Sequence, residues 1–331
     1  MREKGTLWCR HLAACAAAVI LAVLAQQTPA LALDNVNFKI HFAINPAYTY
    51  LFVAKEKGYF QDNNLGVNFF TGTGSLPTLT ELTQAKWDFT TGDFGDVIQL
   101  VSKGAAIKAT FFVYQRTPVG YGVARDSGIA SPRDFVGKKY GSQQFNLATK
   151  ALPLVCKQHA IDCQRIEFVN VDFNVQVQSF LRGDFQILGG FVNVQGAILE
   201  NLGRQIRWIP AAEVYQEVIA TTDVLLRGKP DLVKRFLSAA AKGAKYTVEN
   251  QDEAVNILLK YHPQLGGTPE AKRLATVQVK SWSTLVRSPE TDRHGYGYGV
   301  PDKITQTLNF YGDISGIRGI SIPNVYAVPG H

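Results

Sequence analysis

The sequence lacks any long run of like charges and has few residues of the kinds that carry covalent or metal chemistry. Its 331 residues include 34 Lys and Arg, 27 Asp and Glu, 6 His and 4 Cys, and the charged residues are dispersed along the chain. Nucleic-acid-binding domains gather Lys and Arg into patches or stripes, so this dispersion predicts no nucleic-acid partner. A mean hydropathy of -0.03 argues against a polytopic membrane protein.

The usual signatures of catalytic sites are missing too. The stretch "GTGS" at Gly72–Ser75 lacks the later glycine of a dinucleotide fingerprint and the Gly-Lys of a phosphate-binding loop, and the chain contains neither G-x-S-x-G nor H-E-x-x-H. We therefore expect no enzymatic activity, no cofactor and no bound metal. One histidine has a suggestive context: His294 stands in "DRHGYGYGV", which forms either an ordered connector or a lid over a site.

Residues 1–32 have the three parts of an export signal. Arg2, Lys4 and Arg10 make a basic start, residues 12–25 form an apolar run, and Ala30-Leu31-Ala32 fits a cleavage site. The apolar run is shorter than the roughly 20 residues that span a bilayer, which argues against an uncleaved anchor. The pattern predicts a signal peptide over 1–32 and secretion to the periplasm.

Two cysteines, Cys156 and Cys163, follow this segment and stand in "CKQHAIDC". In an oxidising compartment they form either a disulfide that closes a small loop or two buried thiols. Their spacing permits both.

The hydrophobic pattern alternates between strands and helices in two successive series. The first begins with "VNFKIHFAI", continues with a helix that Asn45 caps and Pro46 begins, and ends with "IKATFFVYQ". The second runs from "GVAR" to "DFQILGG". This alternation predicts an α/β fold of mostly parallel sheets flanked by helices. A mostly helical tail follows, and its apolar face is expected to pack back on the first series.

A local pattern recurs in the two series. "LTQAKWDFTTGD" (82–93) and "FLRGDFQILGG" (180–190) each place a helix end, an Asp-Phe pair, a short strand and a glycine turn in the same order. The recurrence predicts two lobes of similar fold.

Ligand-binding residues are expected at the strand ends, because open α/β sheets bind ligands beyond the carboxyl ends of parallel strands. Asp93, in "TTGDFG", either caps the next helix or accepts a ligand N–H. Arg116 either clamps an anionic group or faces solvent. Ser142, Gln143 and Asn146 precede a helix whose backbone N–H groups would receive an anion or a carbonyl oxygen.

Several segments, in this order, resemble the solute-binding proteins of ABC importers of the nitrate, taurine and thiamine-pyrimidine-precursor type. They are "YLFVAKEKGYFQDNNLGVNFF", "LTQAKWDF", "DSGIASPRDFVGKKYG", "VQSFLRGDFQ" and "KPDLVKRFLSAAAKGAKYTVENQDEAVNILLKYHP". Together the similar segments cover nearly all of residues 38–315.

The resemblance implies a type II periplasmic-binding fold, in which two α/β lobes joined by two hinge strands close on a ligand. Lobe one would comprise residues 38–116 plus 222–331, and lobe two residues 120–214. The hinges would lie at about 115–122 and 214–222.

Candidate binding residues follow from the family's binding positions, from the other strand ends and from the proposed lid. They are Tyr48, Tyr50, Gly74, Ser75, Asp93, Arg116, Ser142, Gln143, Asn146, Phe191, Asn193 and His294. The aromatic residues near the cleft favour a flat organic ligand, aromatic or heterocyclic and pyrimidine-like, because stacking needs a planar face.

The resemblance therefore implies a monomeric exported receptor that captures a small-molecule ligand and delivers it to the membrane subunits of an ABC importer. Three alternatives remain at this point. The protein would bind taurine, alkanesulfonate or nitrate-type anions, would be an enzyme similar to the thiamine-pyrimidine synthases, or would be a sensory binding protein.

Overall fold

A computed structural model describes residues 32–328, and the chain from Asn35 onward forms one compact unit. The predicted signal peptide lies outside the described residues except for Ala32, so export and cleavage stay predictions. Within residues 32–328, no helix combines the length and apolar character needed to cross a membrane.

The first sheet has five strands in the order β2-β1-β3-β10-β4. They are β1 Asp34–Ile40, β2 Leu65–Thr71, β3 Phe89–Asp93, β4 Ile107–Phe112 and β10 Glu217–Thr222. β1 pairs with β3 in parallel, whereas β10 runs antiparallel between β3 and β4. The inner strands β3 and β10 are almost entirely buried, as expected for a sheet covered by helices on both faces.

The second sheet repeats this topology in the order β7-β6-β8-β5-β9. Its strands are β5 Val119–Ala124, β6 Lys139–Ser142, β7 Glu167–Asn170, β8 Ile187–Phe191 and β9 Ile206–Pro210. β6 is parallel to β7 and β8, and β5 runs antiparallel between β8 and β9. The predicted two-sheet α/β fold is confirmed, although each sheet is mixed because it receives one antiparallel strand.

The recurring sequence pattern marks equivalent strands of the two sheets. β3 and β8 are each the third strand in the order of their sheet, and each pairs with an antiparallel strand on its outer side. The similarity of "WDFTTGD" and "DFQILGG" therefore reflects the same position in two sheets of the same topology.

Helices flank both sheets. In chain order they are α1 Thr49–Glu56, α2 Ser75–Thr83, α3 Phe94–Ser102, α4 Leu147–His159, α5 Phe173–Arg182, α6 Ala197–Asn201, α7 Asp223–Gly228, α8 Pro230–Glu249, α9 Gln251–Tyr261, α10 Pro269–Leu285, α11 Pro289–His294, α12 Pro301–Ser315 and α13 Ile322–Val325.

The helical tail packs on the first sheet, as the sequence predicts. Phe236 of α8 stacks on Phe89 of β3 with ring centroids 4.2 Å apart, and on Phe38 and Phe60 at 5.6 and 5.5 Å. Each fully buried Phe side chain contributes roughly 1.5–3 kcal/mol from the removal of apolar surface from water. This cluster fixes the tail to the sheet whose strand ends carry the candidate site.

Two chain crossings, residues 113–118 and 211–216, connect the sheets. β10 (Glu217–Thr222) is hydrogen-bonded into the first sheet, so bending at the second crossing would occur before Glu217. The division into a lobe of 38–116 plus 222–331 and a lobe of 120–214 stays a prediction.

Both crossings are bonded to the C-terminal helices. The backbone N–H of Gln115 donates to the carbonyl of Leu285 at 2.8 Å, and Nζ of Lys303 donates to the carbonyl of Gln115 at 2.5 Å. The Tyr215 hydroxyl, from the second crossing, donates to Oε1 of Gln115 at 3.3 Å. The start of the first crossing and the end of the second therefore belong to the first sheet's body.

The start of α1 confirms the predicted cap. Oδ1 of Asn45 accepts the N–H of Ala47 at 2.9 Å, and Pro46 begins a short 3-10 turn, Pro46–Tyr48, that leads into the helix. Gly58 follows the helix with φ of 74°, the left-handed conformation that favours glycine after a helix C-terminus.

Tyr50 is a core residue, and its predicted role as a ligand contact is wrong. It is fully buried, and its ring lies between Phe111 and Trp282, with centroids 6.2 and 5.5 Å away and planes within 10° of parallel. Within residues 32–328 its hydroxyl has no hydrogen-bond partner.

Cys156 and Cys163 form a disulfide, with their Cα atoms 5.6 Å apart. Cys156 lies in the last turn of α4 and Cys163 begins the next 3-10 turn, so the bond closes the short loop between them. Of the two alternatives open from the sequence, the structure contains the disulfide.

The position of Tyr50 predicts opposite effects for two substitutions. Tyr50→Phe should leave the free energy of unfolding unchanged or raise it by about 1 kcal/mol, because it removes a buried hydroxyl without a partner. Tyr50→Ala should lower it by about 3–5 kcal/mol, because it removes the ring from the stack. Urea denaturation of both variants checks this, and a loss of more than about 1 kcal/mol in Tyr50→Phe would contradict the assignment of an unpaired hydroxyl.

Candidate functional site

A cavity of about 400 Å³ lies between the carboxyl ends of the two sheets. Its lining residues come from both sheets and their connections: His41, Phe42, Ala43, Ile44, Asn45, Ala47, Tyr48, Asp93, Tyr114, Phe173, Phe191, Asn193, Val194, Gln216, Glu217 and Gln278. β1, β3 and β8 point their carboxyl ends at it, which is where open α/β sheets bind ligands.

Two carboxylic acids lie side by side on the first sheet's face of the cavity. Asp93 ends β3, Glu217 begins β10, and the two residues are directly opposite in the antiparallel ladder. Such pairs have Cβ atoms about 4.5–5.5 Å apart and side chains on the same face. Oδ1 of Asp93 accepts the side-chain N–H of Gln216 at 3.1 Å.

Burial raises the pKa of both acids. Desolvation, together with the nearby Asp93 charge, raises the pKa of Glu217 from 4.5 to about 8. Desolvation, followed by the charge of Asp96, raises the pKa of Asp93 from 3.8 to about 7. Strongly perturbed acids in a cavity are typical of functional sites.

Tyr114 and Asn193 connect the two sides of the cavity. Tyr114 lies on the first crossing, and Asn193 lies in a turn of π-helix, Val192–Gly196, that follows β8. Nδ2 of Asn193 donates to the Tyr114 hydroxyl at 3.1 Å. Oδ1 of Asn193 and Oε1 of Glu217 have no hydrogen-bond partner among the residues the structure describes.

His41 follows β1 and is held as a neutral ring. Its Nδ1 lies 2.8 Å from Oγ1 of Thr91 and 3.5 Å from the hydroxyl of Tyr48. Burial lowers the pKa of His41 from 6.5 to about 4. The histidine therefore brings no positive charge to the cavity near neutral pH.

Aromatic side chains form the outer walls. Phe42 from the first sheet is 53% exposed, and Phe173 from the start of α5 is 43% exposed. Phe191, at the end of β8, is less exposed than either. Large exposed aromatic side chains at a cavity mouth are typical of surfaces that a ligand covers.

Four of the residues predicted from the sequence line this cavity: Tyr48, Asp93, Phe191 and Asn193. For Asp93 the structure does not show the capping role, and its predicted contact with a ligand stays a prediction. It occupies the N-cap position of α3, but its side chain makes no capping hydrogen bond and bonds to Gln216.

The other predicted residues do not line the cavity. Ser142 donates its hydroxyl hydrogen bond to the carbonyl of Gly189 inside the second sheet, and Asn146 caps α4. Arg116 is exposed on the first crossing. His294 ends α11 and stacks on Tyr298, with ring centroids 4.2 Å apart, so it lies in an ordered connector. Tyr50, as described above, lies in the core, and the remaining predicted residues are Gly74, Ser75 and Gln143.

Gly74 and Ser75 begin α2 and support the site indirectly. The N–H of Gly74 donates to the carbonyl of His41 at 2.7 Å, and the Ser75 hydroxyl accepts the N–H of Asp93 at 2.8 Å. Gln143 is half-buried at the end of the second sheet, and within residues 32–328 its side-chain N–H groups have no partner. These corrections separate residues that position the cavity wall from those that form it.

Several cavity residues were not predicted. Gln216 and Tyr114 belong to the crossings, Glu217 begins β10, and Phe173 and His41 flank predicted strand ends. The available signal for Glu217 is a charged residue in front of the apolar strand "VIATT". A charged residue that begins a buried strand is rarely placed there by packing alone.

A family described as NMT1/THI5 like matches residues 45–254 of the chain. The formylaminopyrimidine-binding protein of Halalkalibacterium halodurans is 24% identical over 272 residues, 80% of this chain and 81% of that protein. The 4-amino-5-hydroxymethyl-2-methylpyrimidine phosphate synthase of Legionella pneumophila is 22% identical over 266 residues, 78% of this chain and 83% of that protein.

Among solved structures, the periplasmic aliphatic sulphonate binding protein SsuA of Escherichia coli has a TM-score of 0.68 at 12% identity. The alignment covers 90% of this chain and 93% of that chain. At this identity the likeness shows the fold, and the two-sheet architecture agrees with it.

The raised pKa of Glu217 predicts a pH-dependent effect of Glu217→Gln on stability. The folded protein binds a proton at Glu217 up to about pH 8, whereas the unfolded chain releases it near pH 4.5. The stabilisation that comes from this retained proton is fully present below the pKa of Glu217 in the unfolded chain, and it is lost as pH rises through the pKa of Glu217 in the folded protein. The variant cannot ionise, so its free energy of unfolding should exceed that of the wild type by a few kcal/mol at pH 9 and by little at pH 4.5.

Urea denaturation at pH 4.5, 7 and 9 measures this difference, with Glu249→Gln as the matched control because Glu249 is exposed on α8. A constant difference between wild type and Glu217→Gln across the three pH values would contradict the raised pKa.

Proposed function

The chain belongs to the NMT1/THI5-like family, and we propose that it is an exported solute-binding receptor. It captures a small, flat organic molecule, aromatic or heterocyclic, in the cavity between its two sheets. It then delivers the molecule from the periplasm to the membrane subunits of an ABC importer.

The chemistry of the cavity wall carries this proposal. Phe42, Phe173 and Phe191 provide faces for a planar ring, and Tyr48 lies beside them. Stacked aromatic pairs are worth roughly 0.5–1.5 kcal/mol beyond the area they bury. The names of the relatives support the same ligand class, since one of them binds a formylaminopyrimidine.

Capture by this fold requires the two lobes, residues 38–116 plus 222–331 and residues 120–214, to approach each other. The bonds of Gln115 to the C-terminal helices support a bend that begins after this residue on the first crossing. The pairing of β10 supports a bend within 211–216 on the second. Hinge closure of this kind changes the backbone dihedral angles of only a few residues and leaves both sheets intact.

An anionic ligand fits the cavity poorly, although the fold is shared with a sulphonate-binding protein. No Lys or Arg is among the described residues that line the cavity to pair with a sulphonate or nitrate, and the ionised fraction of Asp93 and Glu217, which grows as pH rises through 7 to 8, would repel one. Fold alone does not specify the ligand, so the lining decides between these classes.

An enzymatic role has one specific observation behind it: the relative from Legionella pneumophila is named as a synthase. A binding protein that serves a sensory receptor would need the same cavity, and transport differs from it only in the membrane partner.

A thermal-shift screen tests the proposal. Flat nitrogen heterocycles and aromatic compounds should include at least one that raises the melting temperature by several degrees, because a ligand at 100 times its Kd adds about 2.7 kcal/mol to stability. Taurine, an alkanesulfonate and nitrate serve as the comparison set. Stabilisation by these anions alone would overturn the ligand class, and turnover of the bound compound by the purified protein would overturn the receptor role.

A further inference from the structure

Backbone hydrogen bonds narrow the part of the first crossing in which a bend can occur. The N–H of Arg116 donates to the carbonyl of Leu285, in the body of the first sheet, at 2.9 Å. The carbonyl of Pro118 accepts the N–H of Val192, which follows β8 of the second sheet, at 2.8 Å. A hinge absorbs its change of angle in backbone that is fixed to neither side, so a bend of this crossing would fall within residues 116–118.

The second crossing is narrowed in the same way. The N–H of Ala211 donates to the carbonyl of Val119 on β5 at 3.1 Å, which ties Ala211 to the second sheet. The N–H of Tyr215 donates to Oγ1 of Thr307 on α12 at 3.0 Å, which ties Tyr215 to the first sheet's body. A bend of this crossing would therefore fall within residues 212–214.

Lys303 of α12 contacts both crossings at these two places. Its Nζ donates to the carbonyl of Gln115, directly before the first bending stretch, at 2.5 Å. The same Nζ lies 3.9 Å from Oε2 of Glu213, the middle residue of the second stretch, and 5.1 Å from the ring centroid of Tyr215. One side chain of the C-terminal helices thus connects the two parts of the chain that would bend.

The environment of Lys303 makes these contacts dependent on one another. Its side chain is only 18% exposed, and burial lowers its pKa. An ammonium group that loses hydration needs other partners, and here a carbonyl oxygen, an aromatic face and a carboxylate replace the water. The cost of burying Lys303 is offset only while both crossings keep the positions that supply these partners.

We propose that Lys303 is a positioning residue of the hinge, which holds the two bending stretches in one relative arrangement so that both crossings bend together. Gln115 and Tyr215 belong to the first sheet's body, whereas Glu213 lies within a bending stretch, so the pair of Lys303 with Glu213 is the contact that lobe movement alters most.

This role deepens the proposed receptor function and rests on it, because a hinge residue matters only where two lobes close on a ligand. Neither Lys303 nor Glu213 lines the cavity, so the effect on capture does not come from contact with the ligand. A hinge that permits fewer arrangements leaves less freedom to be lost on binding, which favours affinity through preorganisation.

Distances between spin labels, measured by pulsed electron spin resonance without any added compound, test the proposal. The labels are placed at Lys234→Cys on α8 and Gln178→Cys on α5, both exposed, in the full chain with Cys9→Ser and Cys15→Ser. Lys303→Met keeps most of the apolar stem and removes the ammonium group. It should broaden the distribution of label distances, because the two crossings then bend independently.

Three further variants separate this role from packing. Lys303→Arg should restore the narrow distribution, because a guanidinium keeps the charge and can donate to the same partners. Glu213→Gln should broaden it less than Lys303→Met and add little in the double variant, because both changes remove the same ion pair. Lys242→Met, with an exposed side chain on α8, should match the wild type. Circular dichroism confirms that each variant is folded.

Amide hydrogen exchange followed by mass spectrometry locates the effect. In Lys303→Met, peptides that cover residues 113–118 and 211–216 should exchange about 10- to 100-fold faster, the loss of a hydrogen bond from a charged donor. Peptides from the strands of both sheets should exchange as in the wild type. A general loss of stability would instead raise exchange throughout the first sheet's body.

Failure of this inference is distinguishable from failure of the receptor function, because neither measurement uses a ligand. An unchanged distance distribution in Lys303→Met, equal broadening in Lys242→Met, or faster exchange spread over the first sheet overturns the hinge role while the receptor function stands. If the distribution broadens as expected but no compound of the thermal-shift screen binds, the hinge role of Lys303 stands and the receptor function is overturned.

Discussion

The pairing of Glu217 with Asp93 across the β10–β3 ladder is the constraint on which the cavity depends. The chain returns from the second sheet and enters the first antiparallel, so the first residue of β10 meets the last residue of β3. Folding there removes two carboxyl groups from water, and each keeps its proton to a higher pH than in the unfolded chain. A core as large as the Phe236 cluster offsets this cost, so the fold accommodates two buried acids in the cavity wall.

The second sheet lines the cavity from the other side. Because it has the same topology, its third strand, β8, also ends at the cavity, where it places Phe191 and the turn that contains Asn193. The first sheet's side contributes the two acids and Phe42, and the second contributes Asn193, Phe173 and Phe191, so the cavity is lined from both sides. In the proposed receptor, a ligand that contacts both sides of the cavity would favour the arrangement that holds both sheets near it, which would couple binding to the proposed approach of the lobes.

Local signals were sufficient for much of the fold and for part of the site. Asn45-Pro46 marks the start of α1 because a cap acts within a few residues, and the strand-end rule found Tyr48 and Asp93. The same rule fails for Tyr50. Tyr50 lies two residues after Tyr48, which corresponds to about 200° around the axis of a helix, so its side chain faces the core. Glu217 was not predicted because it becomes a neighbour of Asp93 only through the pairing of two strands that lie more than a hundred residues apart in the sequence. A local sequence pattern carries no information about the register of such a pairing.

The sulphonate-binding protein of Escherichia coli shares this arrangement of sheets at a TM-score of 0.68 and 12% identity. A shared fold does not specify the charge of a ligand, so in the proposed receptor that choice would rest on the side chains that line the cavity. In the present chain the residue at the first position of β10 is a glutamate without a partner for one oxygen within residues 32–328. An anion at that position would face two acids with no Lys or Arg among the described lining residues to compensate. In the proposed receptor, the ligand class would therefore depend on a few side chains at the strand ends, and a change of ligand would require no change in the sheets.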